Sequence, residues 1–503
     1  MRAIRALVLI HRYLGIAVGI LMVGWCLSGI VMMYVSYPEL SPAERLRGLV
    51  PLDWKHCCVL PAQSLADNET VAGFSIEELG DEPVLRVRLA SGTRLLDLTN
   101  GRSIASVPES LAMRVAGQYR LHEASRTPFA GVPSAKAVRL DRLIDHDPWT
   151  VSGSFDSDRP LYRFALRDAA QTVLYVSART GEAVQVTTAH ERFWNWLGAI
   201  PHWLYFSELR RNTALWSQVV IWTSLIGSVL ALTGVYLGFD RLAHAPGGGW
   251  SPYRGMLLWH HVPGVLFGLF VLTWIVSGLL SMNPWGLLEG AGAETEMRQL
   301  EGGALSGAQV KASLRALAAA SLPAGTVSIQ SAPLLGKLYF IASGTDGARI
   351  RLDAIGAPAP LTPVEAALES QILSGAQTRS GAQTRGGAQE LGSPRPELEL
   401  ITQEDAYDFT HHRDTAVLPA YRLVLKDAHQ TRYYLDPVSG AIVAKIDSGA
   451  RGYRWLHQGL HRLDFIRALR SRPLWDFLML ALLSGVTLVC GTGTYLGMRR
   501  LIR

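Results

Sequence analysis

The chain has 503 residues, a formal net charge of +6 and 49% hydrophobic residues, with a positive mean hydropathy. Length alone would suggest about three soluble domains, but this hydrophobicity points instead to a membrane protein. The excess positive charge is spread over the ends of apolar runs and comes with no nucleic-acid-binding motif, so a nucleic-acid partner is not expected.

Residues 6–35 form the first predicted transmembrane helix, because no Asp, Glu, Lys or Arg occurs between Arg12 and Glu39. The run is too long for a signal-peptide core and has no small-residue cleavage site near Tyr34 to Pro38, which predicts an uncleaved anchor. Residues 36–192 follow as a polar segment. Its Cys57 and Cys58 are adjacent and close a disulfide only with strained geometry, so no disulfide framework is implied. Near its end, YRFALRDAAQTVLYVSARTGEAV from Tyr162 reads as two short alternating strands joined by a polar turn at Arg167 to Gln171.

Residues 193–239 hold an aromatic-rich interfacial segment and the second charge-free run, 240–254 a short loop, and 255–283 the third run. A second polar segment, 284–451, contains the Gly-rich GAQTR tandem at 374–390, which reads as a flexible insertion. Residues 452–498 bring another interfacial segment and the fourth run. Each run meets the roughly 20 residues that a spanning helix needs. Arg2, Arg5, Arg12, Arg241, Arg254, Arg499, Arg500 and Arg503 gather on one side, which the positive-inside rule makes cytoplasmic, with both termini there and both polar segments extracytoplasmic.

The chain repeats itself. At an offset of 249, His11, Gly15, Trp25, Ser28 and Gly29 match His260, Gly264, Trp274, Ser277 and Gly278. At an offset of 259, Asp168, Gln171, Tyr175 and Gly181 match Asp427, Gln430, Tyr434 and Gly440; His202 and Trp216 match His461 and Trp475; and TGVYLGFDRL matches TGTYLGMRRL. The expected fold is a four-transmembrane-helix bundle arising from an internal duplication, with two extracytoplasmic α+β domains.

An ionisable side chain inside a membrane is costly and usually marks function. His11 with Gly15 and Gly19, and His260 with Gly264 and Gly268, each share one helix face, which suits a flat macrocycle; helix packing is the alternative reading of such glycines. His261 competes with His260 for the ligand role. His202 and His461 form the second matched pair, read either as ligands or as wet residues of an interfacial helix, and His457 is the alternate to His461. Two non-covalent haems, one near each face, would carry electrons across the membrane; no C-x-x-C-H motif calls for covalent attachment. His56, His122, His146, His190, His411, His412 and His429, in the outer segments, read as solvated or structural, with His411 and His412 the best of these for contact with an outer substrate or a haem edge; His244 lies in the cytoplasmic loop.

The H-R-x-x-G start of helix one, the YYLDPVSGAIV strand pair, the RWLHQGLHRLDF segment and the T-G-x-Y-L-G end of helix four resemble the PepSY-associated transmembrane family. That resemblance implies PepSY-like outer domains and a di-haem b protein of the bacterial inner membrane, a ferric-siderophore or other ferric-chelate reductase. His11, His260, His202 and His461 would be its axial ligands, and its electron donor would be a cytoplasmic molecule or a quinol. No dinucleotide-binding glycine motif follows a strand, so the donor is a separate molecule. The alternative from a different class is a non-redox, membrane-anchored protein whose PepSY-like domains bind or regulate a peptidase.

Overall fold

A computed structural model describes residues 2–54, 57–124, 138–382, 397–410, 416 and 418–502, in two compact units. The first comprises residues 1–37, 190–290 and 449–503, and the second residues 38–189 and 291–448.

Four helices long and apolar enough to span a membrane make up the first unit: helix one (Arg2–Met32), helix two (Thr213–Ala243), helix three (Met256–Ser281) and helix four (Leu474–Leu501). Helices two and four run past the expected bounds, helix two continuing through Asp240 to Ala243 and helix four to Leu501, while helix one starts earlier and ends earlier than expected and helix three lies within its expected bounds. Asn212 accepts from the Leu215 backbone N–H (3.0 Å) and starts helix two. Helices one and three each pack against helices two and four. The centre of the unit is apolar, built from Val18, Met22, Cys26, Ala231, Val271, Ile275 and Val486. Before helix two, Ala189–Leu197 is amphipathic: Asn195 is buried and donates to the Ser36 carbonyl (3.0 Å), whereas Phe193, Trp196 and Leu197 are exposed, as in a helix lying in a membrane interface.

The second unit is α+β. Its main sheet has seven strands in the order Arg349–Leu352, Lys337–Gly344, Thr326–Leu334, Gly73–Leu79, Glu82–Leu89, Gly92–Asp97 and Ser103–Ile104. Both polar segments therefore build one sheet, joined where Ser328, Ile329 and Gln330 pair antiparallel with Glu77, Ile76 and Ser75. Each half of this sheet is followed in sequence by a four-stranded sheet, 139–187 and 397–446. The predicted strand pair appears as Leu161–Ala165 and Val173–Ser177, and again as Ala420–Val424 and Arg432–Leu435. The intervening turns use Arg167, Gln171 and Gln430 at positive φ. Asp168 accepts from the Thr172 backbone and hydroxyl (2.7 and 2.6 Å), and Asp427 does the same for Thr431 (2.8 and 2.6 Å).

Cys57 and Cys58 are joined in a disulfide between neighbours, which links no distant parts of the chain and makes no framework. One expectation changes. The helix Pro363–Ala382 extends into the GAQTR tract, read from sequence as a flexible insertion; residues 383–390 of the tract lie outside the described residues, as do His56, His411 and His412.

Candidate functional site

His11 and His260 sit early in helices one and three, with ring centroids 6.2 Å apart. Nδ1 of His11 is 3.1 Å from the Leu230 carbonyl of helix two, and Nδ1 of His260 is 3.1 Å from the Val489 carbonyl of helix four. A carbonyl only accepts, so each Nδ1 carries the proton and each Nε2 keeps its lone pair. Thr233 and Thr492 stand by the same nitrogens at 3.4 and 3.3 Å. Their hydroxyls are also bonded back to helix carbonyls, 2.8 Å from Val229 and 2.7 Å from Leu488, which holds them in place.

Glycine is required opposite each ring. A Cβ on Gly234 would lie 2.7 Å from His11 Cε1, and one on Gly493 would lie 2.9 Å from His260 Cε1. Both distances are inside van der Waals contact, so a side chain at either position would displace the imidazole.

The second pair is built differently. His202 lies on the short helix Ala199–Trp203 and His461 on Leu460–Arg462, and each helix is ended by a left-handed leucine, Leu204 (φ 53°) and Leu463 (φ 55°). Non-glycine residues occupy that region at a cost and persist where the surroundings enforce it. Here the indole of Trp216 donates to the Trp203 carbonyl (2.8 Å) and that of Trp475 to the Arg462 carbonyl (2.7 Å), pinning the residue after each histidine.

The His202 and His461 centroids are 6.1 Å apart. Their Nδ1 atoms each lie 3.0 Å from a serine hydroxyl, Ser28 for His202 and Ser277 for His461. Each serine donates its own proton to a helix carbonyl, Trp25 or Trp274, at 3.1 Å, so it accepts from the histidine and Nε2 again keeps the lone pair. Burial pushes His202 down to about 4; burial, helped by His202 and His457, pushes His461 down to about 3. Both rings are neutral at pH 7, the form in which imidazole binds a metal.

The remaining sequence candidates divide. His261 lies 3.0 Å from the Gly238 carbonyl through Nε2 and packs edge-on to Tyr253, so it faces helix two, and His260 is the residue opposite His11. His457 lies on the π-helical turn Arg454–Gly459, bonds the Ser277 carbonyl (2.9 Å) and flanks His461 at 5.6 Å, while His461 is the one opposite His202. Gly19 and Gly268 are taken up by helix contacts, with Thr494 and Val235 at 2.7 and 3.2 Å from a built Cβ. Gly264 has open space beside it, and Gly15 meets only Leu230, at 3.8 Å.

Sequence reasoning missed the supporting groups. Ser28 with Gly29 and Ser277 with Gly278 were legible as matched positions, but they serve the His202–His461 pair rather than the histidines of their own helices. The Thr-Gly steps at Thr233 and Thr492 lay inside the matched TGVYLG and TGTYLG segments, and that match was the available signal.

Ser28 follows His11 by 17 residues, so the two pairs are separated by about 25 Å along helix one at 1.5 Å per residue. Among the described residues no group of three or more His, Cys, Asp or Glu side chains converges as a metal site, so each pair offers two nitrogens alone. Two imidazoles on opposite sides of one metal, with bonds of about 2 Å, have centroids roughly 6 Å apart. Both pairs have that spacing. A planar macrocycle brings four equatorial donors and needs two axial ones, whereas a bare zinc ion would remain short of its usual four. No protein-family model and no curated protein matches this chain.

Proposed function

We propose that the protein is a di-haem b oxidoreductase of the bacterial inner membrane, related to the PepSY-associated transmembrane proteins. It would take electrons from the cytoplasmic side or from a quinol and reduce a periplasmic ferric chelate, such as a ferric siderophore, so that iron is released. In this reading His11 and His260 hold the haem near the cytoplasmic face, and His202 and His461 hold the one near the periplasmic face. The termini are cytoplasmic, and the duplicated outer segments are PepSY-like.

The observation that carries the reading is the pair of pairs: imidazole centroids 6.2 and 6.1 Å apart, every Nδ1 hydrogen-bonded, at two depths. A haem iron supplies one-electron chemistry. The chain's contribution is to fix the tautomer of each ring through Nδ1, which also raises the basicity of Nε2 and so bears on potential. Trp25, Phe267, Phe270 and Trp274 pack around the apolar centre.

The test is a visible spectrum of the purified protein, oxidised and reduced, with haem and protein quantified. Two haems per chain are expected. A missing Soret band after expression with ample haem removes the reading and leaves the non-redox, peptidase-binding alternative; a ratio near one removes one pair. His11→Ala and His461→Ala are each expected to lose one haem, whereas His146→Ala and His261→Ala lose none.

A further inference from the structure

Along helix four runs a groove of about 570 Å³ that also borders Leu27 of helix one. Its helix-four wall comprises Ser484, Thr487, Leu488, Gly491, Thr492 and Tyr495. At the 259-residue offset, Ser484 and Gly491 correspond to Leu225 and Leu232 of helix two, so the room exists because two small residues stand where the other half of the chain has leucines.

One end of it is polar and lies against the His11–His260 pair. The Thr492 hydroxyl is 3.3 Å from His260 Nδ1, and the Tyr495 hydroxyl has no protein hydrogen-bond partner among the described residues. Thr223, Ser228 and Thr494 return their hydroxyls to backbone carbonyls, whereas Thr487, also in the groove wall, has a buried hydroxyl with no partner among the described residues. From Tyr495 back to Ser484 the groove follows about 16 Å of helix at 1.5 Å per residue. An apolar channel of that length ending at the free Tyr495 hydroxyl, beside the histidine pair, suits an amphiphile with a polar ring and a hydrocarbon chain better than it suits an acyl chain.

We propose that this groove binds a lipid-soluble hydroquinone, its ring beside Gly491, Thr492 and Tyr495 and its isoprenoid chain along Leu488 and Ser484. The proposal rests on the di-haem reading and names the electron donor. One hydroquinone is oxidised to the quinone, losing two electrons and two protons. With haem bound, His11 with His260 and His202 with His461 would hold the two one-electron acceptors that take up the two electrons, and the two protons would pass to water on the cytoplasmic side.

The test uses the full chain in lipid nanodiscs with Ser484→Leu and Gly491→Leu together, which install the helix-two residues. Three quantities are measured: haem per chain, the rate of haem reduction by decylubiquinol against dithionite, and quinone retained by the purified protein after solvent extraction. Haem content and dithionite reduction are expected to stay unchanged while the decylubiquinol rate falls by about tenfold or more, because the added leucines overfill the groove. Retained quinone is expected to disappear. Tyr495→Phe, which only removes a hydroxyl, is expected to raise KM for decylubiquinol with kcat little changed. An unaltered decylubiquinol rate and unaltered quinone at full haem content overturn the proposal, as does a wild-type protein that retains phospholipid but no quinone. A wild-type protein without haem overturns the di-haem reading instead, and quinone retention alone then decides the groove.

Discussion

The four-helix unit and the α+β unit both carry matched residues, but the polar groups meet different ends. In the α+β unit the matched polar residues are consumed by the fold: Asp168 and Asp427 close turns, and the buried Tyr175 and Tyr434 hydroxyls each donate to a carboxylate, Asp147 and Asp405, at 2.6 Å. In the helical unit each matched histidine is bonded through Nδ1 and keeps a lone pair on Nε2. A recurring polar residue is therefore structural where its bonding capacity is filled and a candidate ligand where some is left over.

The sharpest way to break this comparison is to leave a charge unmatched in the α+β unit. Glu77 is buried at the junction of the shared sheet, bonded by Arg45 (2.9 and 2.6 Å), Arg86 (2.9 Å) and Ser328 (3.0 Å). Burial alone would raise its carboxyl, but the two guanidiniums prevail and hold it below the usual range. Its contribution is present above the unfolded pKa and lost as pH falls through the lower folded one. Glu77→Ala strands the buried Arg86 and is expected to cost about 3–5 kcal/mol, read by urea unfolding of the full chain in detergent.

Next in size is the reverse change. Glu369 is fully buried with neither carboxylate oxygen hydrogen-bonded, and burial pushes it up to about 8. The unfolded chain releases this proton near the ordinary glutamate range while the folded chain keeps it, so stability falls as pH rises from about 4.3 toward 8. Glu369→Gln is expected to remove that fall and to stabilise the protein at pH 8 by a few kcal/mol, each tenfold change in proton affinity being worth about 1.4 kcal/mol, with little change at pH 4. Equal pH profiles for the two proteins would contradict it.

Within the helical unit, Gly493→Ala is expected to displace His260 and halve the haem content, leaving circular dichroism unchanged. Gly264→Ala, which has open space around it, is expected to keep both haems. The smallest effect belongs to Thr431→Ala, which removes one hydroxyl from the Asp427 turn and should cost about 1 kcal/mol without touching haem content.

Local chemistry made much of this readable. Charge-free runs mark the four helices long and apolar enough to span a membrane, because the energetic penalty for charge in lipid applies residue by residue. The Asp168 and Asp427 turns were legible because the side chain bonds backbone four residues away. Serine partners of the His202–His461 pair were not, since Ser28 and His202 lie 174 residues apart and only the packing of the helices brings them together. The same holds for the pairing of 73–79 with 326–334.

By itself, then, the sequence determined the spanning segments, the matched histidines and the strand pairs, all of which depend on hydropathy and spacing along one stretch of chain. Only the tertiary structure decided that His260 rather than His261 stands opposite His11, that Gly234 and Gly493 make room for the rings, and that Ser28 and Ser277 serve the other pair. Those outcomes depend on the rotation and depth of each helix against its neighbours, which are set by side-chain packing between segments distant in the chain and leave no periodic trace in any one of them.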